Sequence, residues 1–186
     1  MDKFEARRAA RAAQSKMSER ERKQADEAIS AYVLALAECV EGAVCLYSPL
    51  EDEADVSAAT RELIAAGRKV FLPVMREGGI KLVQVGARSR FKSGAYGILE
   101  PQGEEVAPRD ADIALCITPL VAFTSRGGRV GRGKGCYDAF FAQCPCLRAG
   151  AAYACRYVRG VRLEAHDVPL DAVITQNGIL KAEEIE

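Results

Sequence analysis

Apolar side chains recur at helical spacing through the first forty residues and then give way to short uninterrupted runs. Lys3 to Gln14 is rich in alanine and arginine, both strong helix formers, and the spacing predicts a helix. Ser18 followed three residues later by Glu21 is a capping box, which starts a second helix at Glu19. That helix runs to about Glu38, with Ile29, Val33, Leu36 and Val40 on its apolar stripe. The run Ala43 to Tyr47, closed by Ser48-Pro49, has the length of a strand. Val56 to Ala66 returns to helical spacing and stops at Gly67, a natural C-terminal cap. Further strands are expected at Lys69–Pro73, Ile80–Val85, Ala111–Ile117 and Ala149–Cys155. Strands separated by helices imply right-handed crossovers and a three-layer α/β domain with a largely parallel sheet. No internal repeat or low-complexity linker divides the chain, so residues 1–186 are expected to form one domain.

Two stretches, Arg88–Pro108 and Pro119–Gly135, carry no regular pattern. Loops of that length inside a compact domain usually have a function. The second follows a predicted strand, where ligands bind in open α/β sheets.

Composition narrows the classes. Hydrophobic residues make up 49% of the chain and charged residues 28%, as in a globular protein. The 26 basic and 26 acidic side chains cancel, which argues against a general binder of nucleic acid or membrane surface. No apolar run reaches the ~20 residues a membrane helix needs. The polar N-terminus lacks the apolar stretch of a signal peptide. Seven cysteines without a secretory signal read as free thiols in a reducing, cytoplasmic compartment. A zinc site is disfavoured, because the chain has one histidine, His166, and its close cysteine pair, Cys144-Pro145-Cys146, is too tight.

The segment Arg126-Gly127-Gly128-Arg129-Val130-Gly131-Arg132-Gly133-Lys134-Gly135 packs five glycines and four cations into ten residues, and the first acid after it is Asp138. Glycines let backbone amides turn inward, and amides with arginine forks make a cradle for phosphate. A helix is expected to start near Tyr137 and add its dipole. Composition alone also suits a mobile basic surface loop. It is not a Walker loop, since Gly135 stands where Ser or Thr would follow the lysine, and its glycine spacing does not fit the dinucleotide fingerprint. The residues point to phosphate without saying which phosphate.

Six blocks in order resemble the 5-formyltetrahydrofolate cyclo-ligases, also called methenyltetrahydrofolate synthetases. They are Lys3 with Arg7, Glu53 with Asp55, Lys69 to Pro73, Tyr96-Gly97-Ile98-Leu99-Glu100-Pro101, Gly128 to Asp138 led by Pro119 to Phe123, and His166 to Asp171. Departures are Cys136 for the usual tyrosine, Tyr96 for the usual Phe or Trp, and Ala6 for the usual leucine. None of them removes a charged group. The resemblance implies a Rossmann-like domain, of a kind also found in sugar-phosphate isomerases and CoA-transferases. It implies that ATP and Mg2+ serve to phosphorylate the formyl oxygen of 5-formyltetrahydrofolate, after which the ring closes to the 5,10-methenyl product.

Residue by residue, it implies ATP contacts from Lys3, Arg7, Arg129, Gly131, Arg132, Gly133, Lys134, Gly135 and Tyr137. Arg129 and Lys134 would stabilise the transferred phosphoryl group, and Asp138 and Asp167 would hold the magnesium. Glu53 would contact folate, with Tyr96 stacking on the pterin. Without the resemblance, Lys3 and Arg7 read as part of a solvated basic stripe, Asp138 as a first-turn carboxylate favoured by the helix dipole, and Asp167 as an ordinary loop acid. His166 is expected to be a structural neighbour of Asp167. The expected partners are small molecules, with neither nucleic acid nor membrane, and the chain is expected to be a monomer. Two other classes stay open: a phosphate-ester or CoA-dependent enzyme on the same fold, and a non-catalytic nucleotide- or folate-binding module.

Overall fold

The computed structural model describes residues 1–94 and 97–182. Helix α1 (Lys3–Gln14) is capped by Asp2, whose side chain accepts from the Glu5 amide while Glu5 reaches back. Helix α2 (Glu19–Glu38) starts at the Ser18–Glu21 capping box expected from the sequence. Its buried stripe is Ala25, Ile29, Val33 and Ala37, so Leu36 and Val40 flank the stripe instead of lying on it. Strand β1 (Ala43–Cys45) leads to α3 (Ser57–Ala65), β2 (Val70–Arg76) and β3 (Gly79–Val85). Next come β4 (Arg90–Ser93), β5 (Leu99–Gln102), β6 (Glu105–Val106), β7 (Ile113–Pro119), β8 (Ala122–Phe123) and β9 (Arg129–Val130). Helix α4 (Cys136–Phe141), β10 (Leu147–Ala151), β11 (Ala172–Thr175) and β12 (Gly178–Lys181) complete the described chain.

Eight strands form one sheet in the order β12-β11-β10-β7-β1-β2-β3-β6. The five central strands, β11 through β2, are all parallel. The edge strands β12, β3 and β6 pair antiparallel, so the largely parallel sheet expected from the sequence carries antiparallel rims. Connection length explains this. Only Glu77 and Gly78 separate β2 from β3, and only Gln176 and Asn177 separate β11 from β12. Two residues can close a hairpin but cannot make a crossover. Gly78 and Gly79, both at positive φ, were the available sign of the first hairpin.

Side-chain alternation along the strands builds a core on each face. Val44, Leu46, Val70, Leu72, Leu115 and Ile117 meet α2 and α3 on one side. Ala43, Cys45, Phe71, Ile113 and Cys116 meet Phe140 and Phe141 of α4 on the other. Fully burying one such aliphatic chain contributes ~1.5–3 kcal/mol, which is why a period of two decides the register. Helix α1 is not part of this sandwich. Its small Ala6 and Ala10 pack instead on Ala122, Val130 and Val158, over the β8–β9 hairpin.

The stretches expected to be irregular contain structure. Arg88–Pro108 holds the β4–β5 hairpin and β6, and Pro119–Gly135 holds the β8–β9 hairpin. These strands are two to four residues long, too short to leave a periodic signal. The strand expected at Ala149–Cys155 ends at Ala151, and residues 154–156 form a 3-10 turn.

Asp171, the last acid of the His166–Asp171 block, fastens the start of β10 to the start of β11. It accepts from the Arg148 amide at 2.8 Å, from Nε at 2.9 Å and from Nη2 at 2.6 Å. Burial pushes its pKa up, but the Arg148 hydrogen bonds outweigh that and hold it below the usual carboxylate range. A lowered native pKa adds stability above the unfolded value of about 4, and that stability is lost as pH falls through the native value. Since the pair is about a third exposed, Asp171→Asn is expected to cost about 1 kcal/mol at pH 7. Urea titrations at pH 7 and pH 3 check this, because the difference from wild type should shrink towards zero at the lower pH.

Candidate functional site

Taken in chain order, the parallel core reads second, first, third, fourth, fifth strand, and the winding reverses between β1 and β7. Carboxyl ends of strands diverge at such a reversal and leave a crevice for a ligand. A cleft of about 1620 Å³ opens there, lined by residues 47–53 after β1, by Pro73, Met75 and Arg76 of β2, and by residues 119–121 at the end of β7.

Three of its walls are held by one side chain. Arg156, 1% exposed, donates through Nη1 to the carbonyls of Leu120 (3.3 Å) and Val121 (2.9 Å). Nη2 donates to the Asp52 carbonyl and Nε to Oε1 of Gln14 at the end of α1. Gln14 in turn donates to the Asp52 carbonyl at 3.2 Å. Burial pulls the Arg156 pKa down, yet a guanidinium stays charged at any physiological pH. A second brace is Tyr153, whose hydroxyl donates to Asp26 at 2.8 Å and lies 3.3 Å from the Glu53 carbonyl. Burial pushes that hydroxyl up to about 12, so it remains a donor.

The glycine loop forms the fourth wall. Arg7 of α1 donates from Nε to the Gly131 carbonyl at 2.7 Å. A Cβ on Gly131 would lie 2.9 Å from the Arg129 guanidinium, and one on Gly133 would lie 3.3 Å from Arg7. Glycine at these positions therefore lets two guanidinium groups lie against the backbone. Arg129 is 8% exposed, and its Nε is buried with no hydrogen-bond partner among the described residues. Its ring of charge sits 5.6 Å from the centre of Tyr137, and Nη2 donates to Asp138 at 2.8 Å. Helix α4 starts one residue before the expected position, at Cys136, after left-handed Gly135. With six residues its dipole adds little, so the cations carry the positive potential.

The segments that carry Asp138 and Asp167 meet. Asp138 Oδ1 accepts from the Val168 amide, the residue after Asp167, at 3.1 Å. The Leu170 amide donates to the Gly127 carbonyl at 2.9 Å, pinning the same segment to the glycine loop. A Cβ on Gly127 would come within 2.1 Å of the Leu170 carbonyl oxygen, so this approach requires glycine.

Lys3, Arg7, Glu53, Arg129, Gly131, Arg132, Gly133, Lys134, Gly135, Tyr137, Asp138 and Asp167 all line this cleft. Tyr96 lies outside the described residues. His166 is at the exposed rim, its Nε2 3.7 Å from Glu164 and 4.0 Å from Asp167, as expected of a neighbour.

The sequence did not reveal how these cations are partnered. Lys3 binds Glu164 at 2.6 Å and Asp167 at 2.8 Å, Arg129 binds Asp138, and Arg132 binds both Asp52 and Glu53. Burial pulls the Lys3 ammonium down, but the hydrogen bonds and charges of Asp167 and Glu164 outweigh it and raise the net value. Asp167 moves the opposite way: burial raises it, and the bonds from Lys3 and the Glu164 amide bring it below its ordinary value. Asp52, Glu164, Arg76 and Glu100 are cleft residues that sequence reasoning missed. Arg76 ends β2 and pairs with Glu100 at 3.2 Å and Glu105 at 2.6 Å; its place three residues after Pro73 was the one available sign. As donors, Asp138, Asp167 and Glu164 offer the hard oxygens that suit magnesium, while Lys3, Arg7, Arg129 and Arg132 suit a polyanion.

A sheet wound in two directions with a glycine-lined cationic cleft at its reversal is the arrangement of α/β proteins that take phosphorylated ligands. A family model described as the 5-formyltetrahydrofolate cyclo-ligase family matches residues 1–176, and the chain belongs to that family. It is similar to the 5-formyltetrahydrofolate cyclo-ligase of Escherichia coli (strain K12), 29% identical over 144 residues, covering 73% of this chain and 79% of the relative. The Haemophilus influenzae enzyme of the same name is 28% identical over 156 residues, covering 79% and 83%. The NMR structure of Aquifex aeolicus 5,10-methenyltetrahydrofolate synthetase matches with a TM-score of 0.80 at 28% identity, covering 99% of this chain and 94% of that one.

Replacing Arg156 with methionine is expected to leave the Leu120 and Val121 carbonyls and Oε1 of Gln14 without this donor, at ~1–3 kcal/mol each, while the Asp52 carbonyl keeps Gln14. We expect a total loss of about 3–5 kcal/mol, measured by urea unfolding, against the ~5–15 kcal/mol available to such a domain. A loss below about 1 kcal/mol would show that the walls stand without it.

Proposed function

We propose that this chain is an ATP-driven ligase that closes 5-formyltetrahydrofolate to 5,10-methenyltetrahydrofolate, releasing ADP and phosphate. The carrying observation is the junction of Asp138 with the Asp167–Val168 segment beside the glycine loop. It gathers two distant carboxylates and the cations Lys3, Arg7 and Arg129 around one cleft.

In this reading the γ-phosphoryl group of ATP passes to the formyl oxygen. The anilinic nitrogen of the folate then attacks the formyl carbon and loses its proton, and the C–O bond breaks with phosphate as leaving group. Transfers of this kind depend mainly on positioning and on neutralising charge. Lys3 and Arg7, with the amides of residues 131–135, would hold the triphosphate. Arg129 and Lys134 face the transferred group. The orphaned Nε of Arg129 supports that role, because a buried donor without an acceptor is costly until an anion supplies one. Asp138 and Asp167 would hold magnesium, which would supply positive charge to offset that of the phosphate groups. Their fit rests on donor type: a carboxylate has about four lone-pair sites, so each retains capacity beyond the bonds described. Glu53, fixed at its backbone by Tyr153, would accept from the pterin's N–H groups.

All of these groups come from one chain, which we take to act as a single-domain monomer. All seven cysteines are free thiols, in keeping with a reducing cytoplasmic setting. Among the described residues no helix is long and apolar enough to cross a membrane.

Purified protein is expected to generate the methenyl chromophore from 5-formyltetrahydrofolate only when ATP and magnesium are both present. Folded protein that fails to do so would reject the assignment. Asp138→Asn should retain the wild-type circular dichroism spectrum and lose on the order of 100-fold or more in kcat. Near-normal turnover would remove Asp138 from the reaction.

A further inference from the structure

One ion-pair bridge crosses the cleft from the β1–α3 loop to the glycine loop. Arg132 Nη2 binds Asp52, and its Nε binds Oε1 of Glu53 at 3.1 Å. The acid side of the bridge is rigid. Glu53 has a side chain only 7% exposed, and its Oε2 accepts from the Leu50 amide at 3.0 Å. The Asp52 carbonyl is held by Arg156 and Gln14, and its carboxylate also lies 3.9 Å from Arg11. On the other side, Arg132 is exposed between Gly131 and Gly133, the latter at φ +102°. The edge Arg132 gives to the acids, Nε with Nη2, is the same edge a guanidinium uses for two-point contact with a phosphoryl group.

We propose that Arg132 is an exchange latch that couples the two substrates, holding Asp52 and Glu53 in the free protein and passing to the triphosphate when the site fills. This rests on the reading above, in which triphosphate and pterin share the cleft. A pterin N–H reaching Glu53 takes the Oε1 position that Arg132 Nε occupies. A triphosphate draws the same guanidinium away from the opposite side. Whichever ligand arrives first bears the cost of opening the bridge, and the second finds it open. The two therefore bind with positive cooperativity, and by linkage each tightens the other by the same factor.

The test is calorimetric titration of magnesium and the non-hydrolysable analogue β,γ-imido-ATP, with and without saturating 5-formyltetrahydrofolate. For the wild type, folate is expected to lower the analogue's Kd on the order of tenfold, within the usual range for coupled sites. The reverse titration should give the same factor. Asp52→Asn is nearly isosteric and keeps the carbonyl that Arg156 holds. It weakens the latch, so it should bind the analogue several-fold more tightly than wild type without folate and show a smaller coupling factor. Equal analogue affinities with and without folate, in protein that binds both, would overturn the latch and leave the functional reading intact. So would folded Asp52→Asn protein whose folate-free affinity is unchanged or weaker. Wild-type protein that binds no analogue under either condition would overturn both.

Discussion

The hydrogen bonds of Arg156 are the constraint on which the cleft depends. A guanidinium at 1% exposure has lost nearly all its water, and the carbonyls of Leu120, Val121 and Asp52 with the Gln14 side chain replace it. Those acceptors come from the end of α1, the loop after β1 and the chain leaving β7, three segments with no sheet pairing among themselves. Sheet hydrogen bonds set the direction of β1 and β7, but they do not set the loops that follow. The buried charge does, because moving any one wall leaves it short of an acceptor.

Charge in the cleft follows the same rule. Lys3, Arg129 and Arg132 each hold at least one carboxylate, since a partly buried cation without a partner is expensive. The acids balance the cations locally, so a strongly cationic loop coexists with a neutral chain. A polyanion enters such a site by exchanging partners. In the proposed function the carboxylates so released, Asp138 and Asp167, are the ones that would hold its metal.

Much of the scaffold is legible in the sequence. The Ser18–Glu21 capping box marked α2, because a cap is satisfied within one turn of chain. The glycine loop was legible for a different reason, since its residue types are those of a phosphate cradle, whereas Asp138 and Asp167 stood out only through the family resemblance. The short strands β4, β5, β8 and β9 were not legible, since two to four residues carry too few alternations. Nor was the β11–β12 hairpin, whose strands of four residues have the same weakness.

Local order thus belongs to the chain, because caps, turns and helical stripes depend on residues a few positions apart. The partners belong to the fold. Arg156 meets Gln14 across 142 positions, Arg132 meets Glu53 across 79, and the Val168 amide meets Asp138 across 30. No local pattern encodes such distances. They follow from the winding reversal between β1 and β7 and from the cost of burying a charge unpaired, and both are settled only when the whole chain has packed.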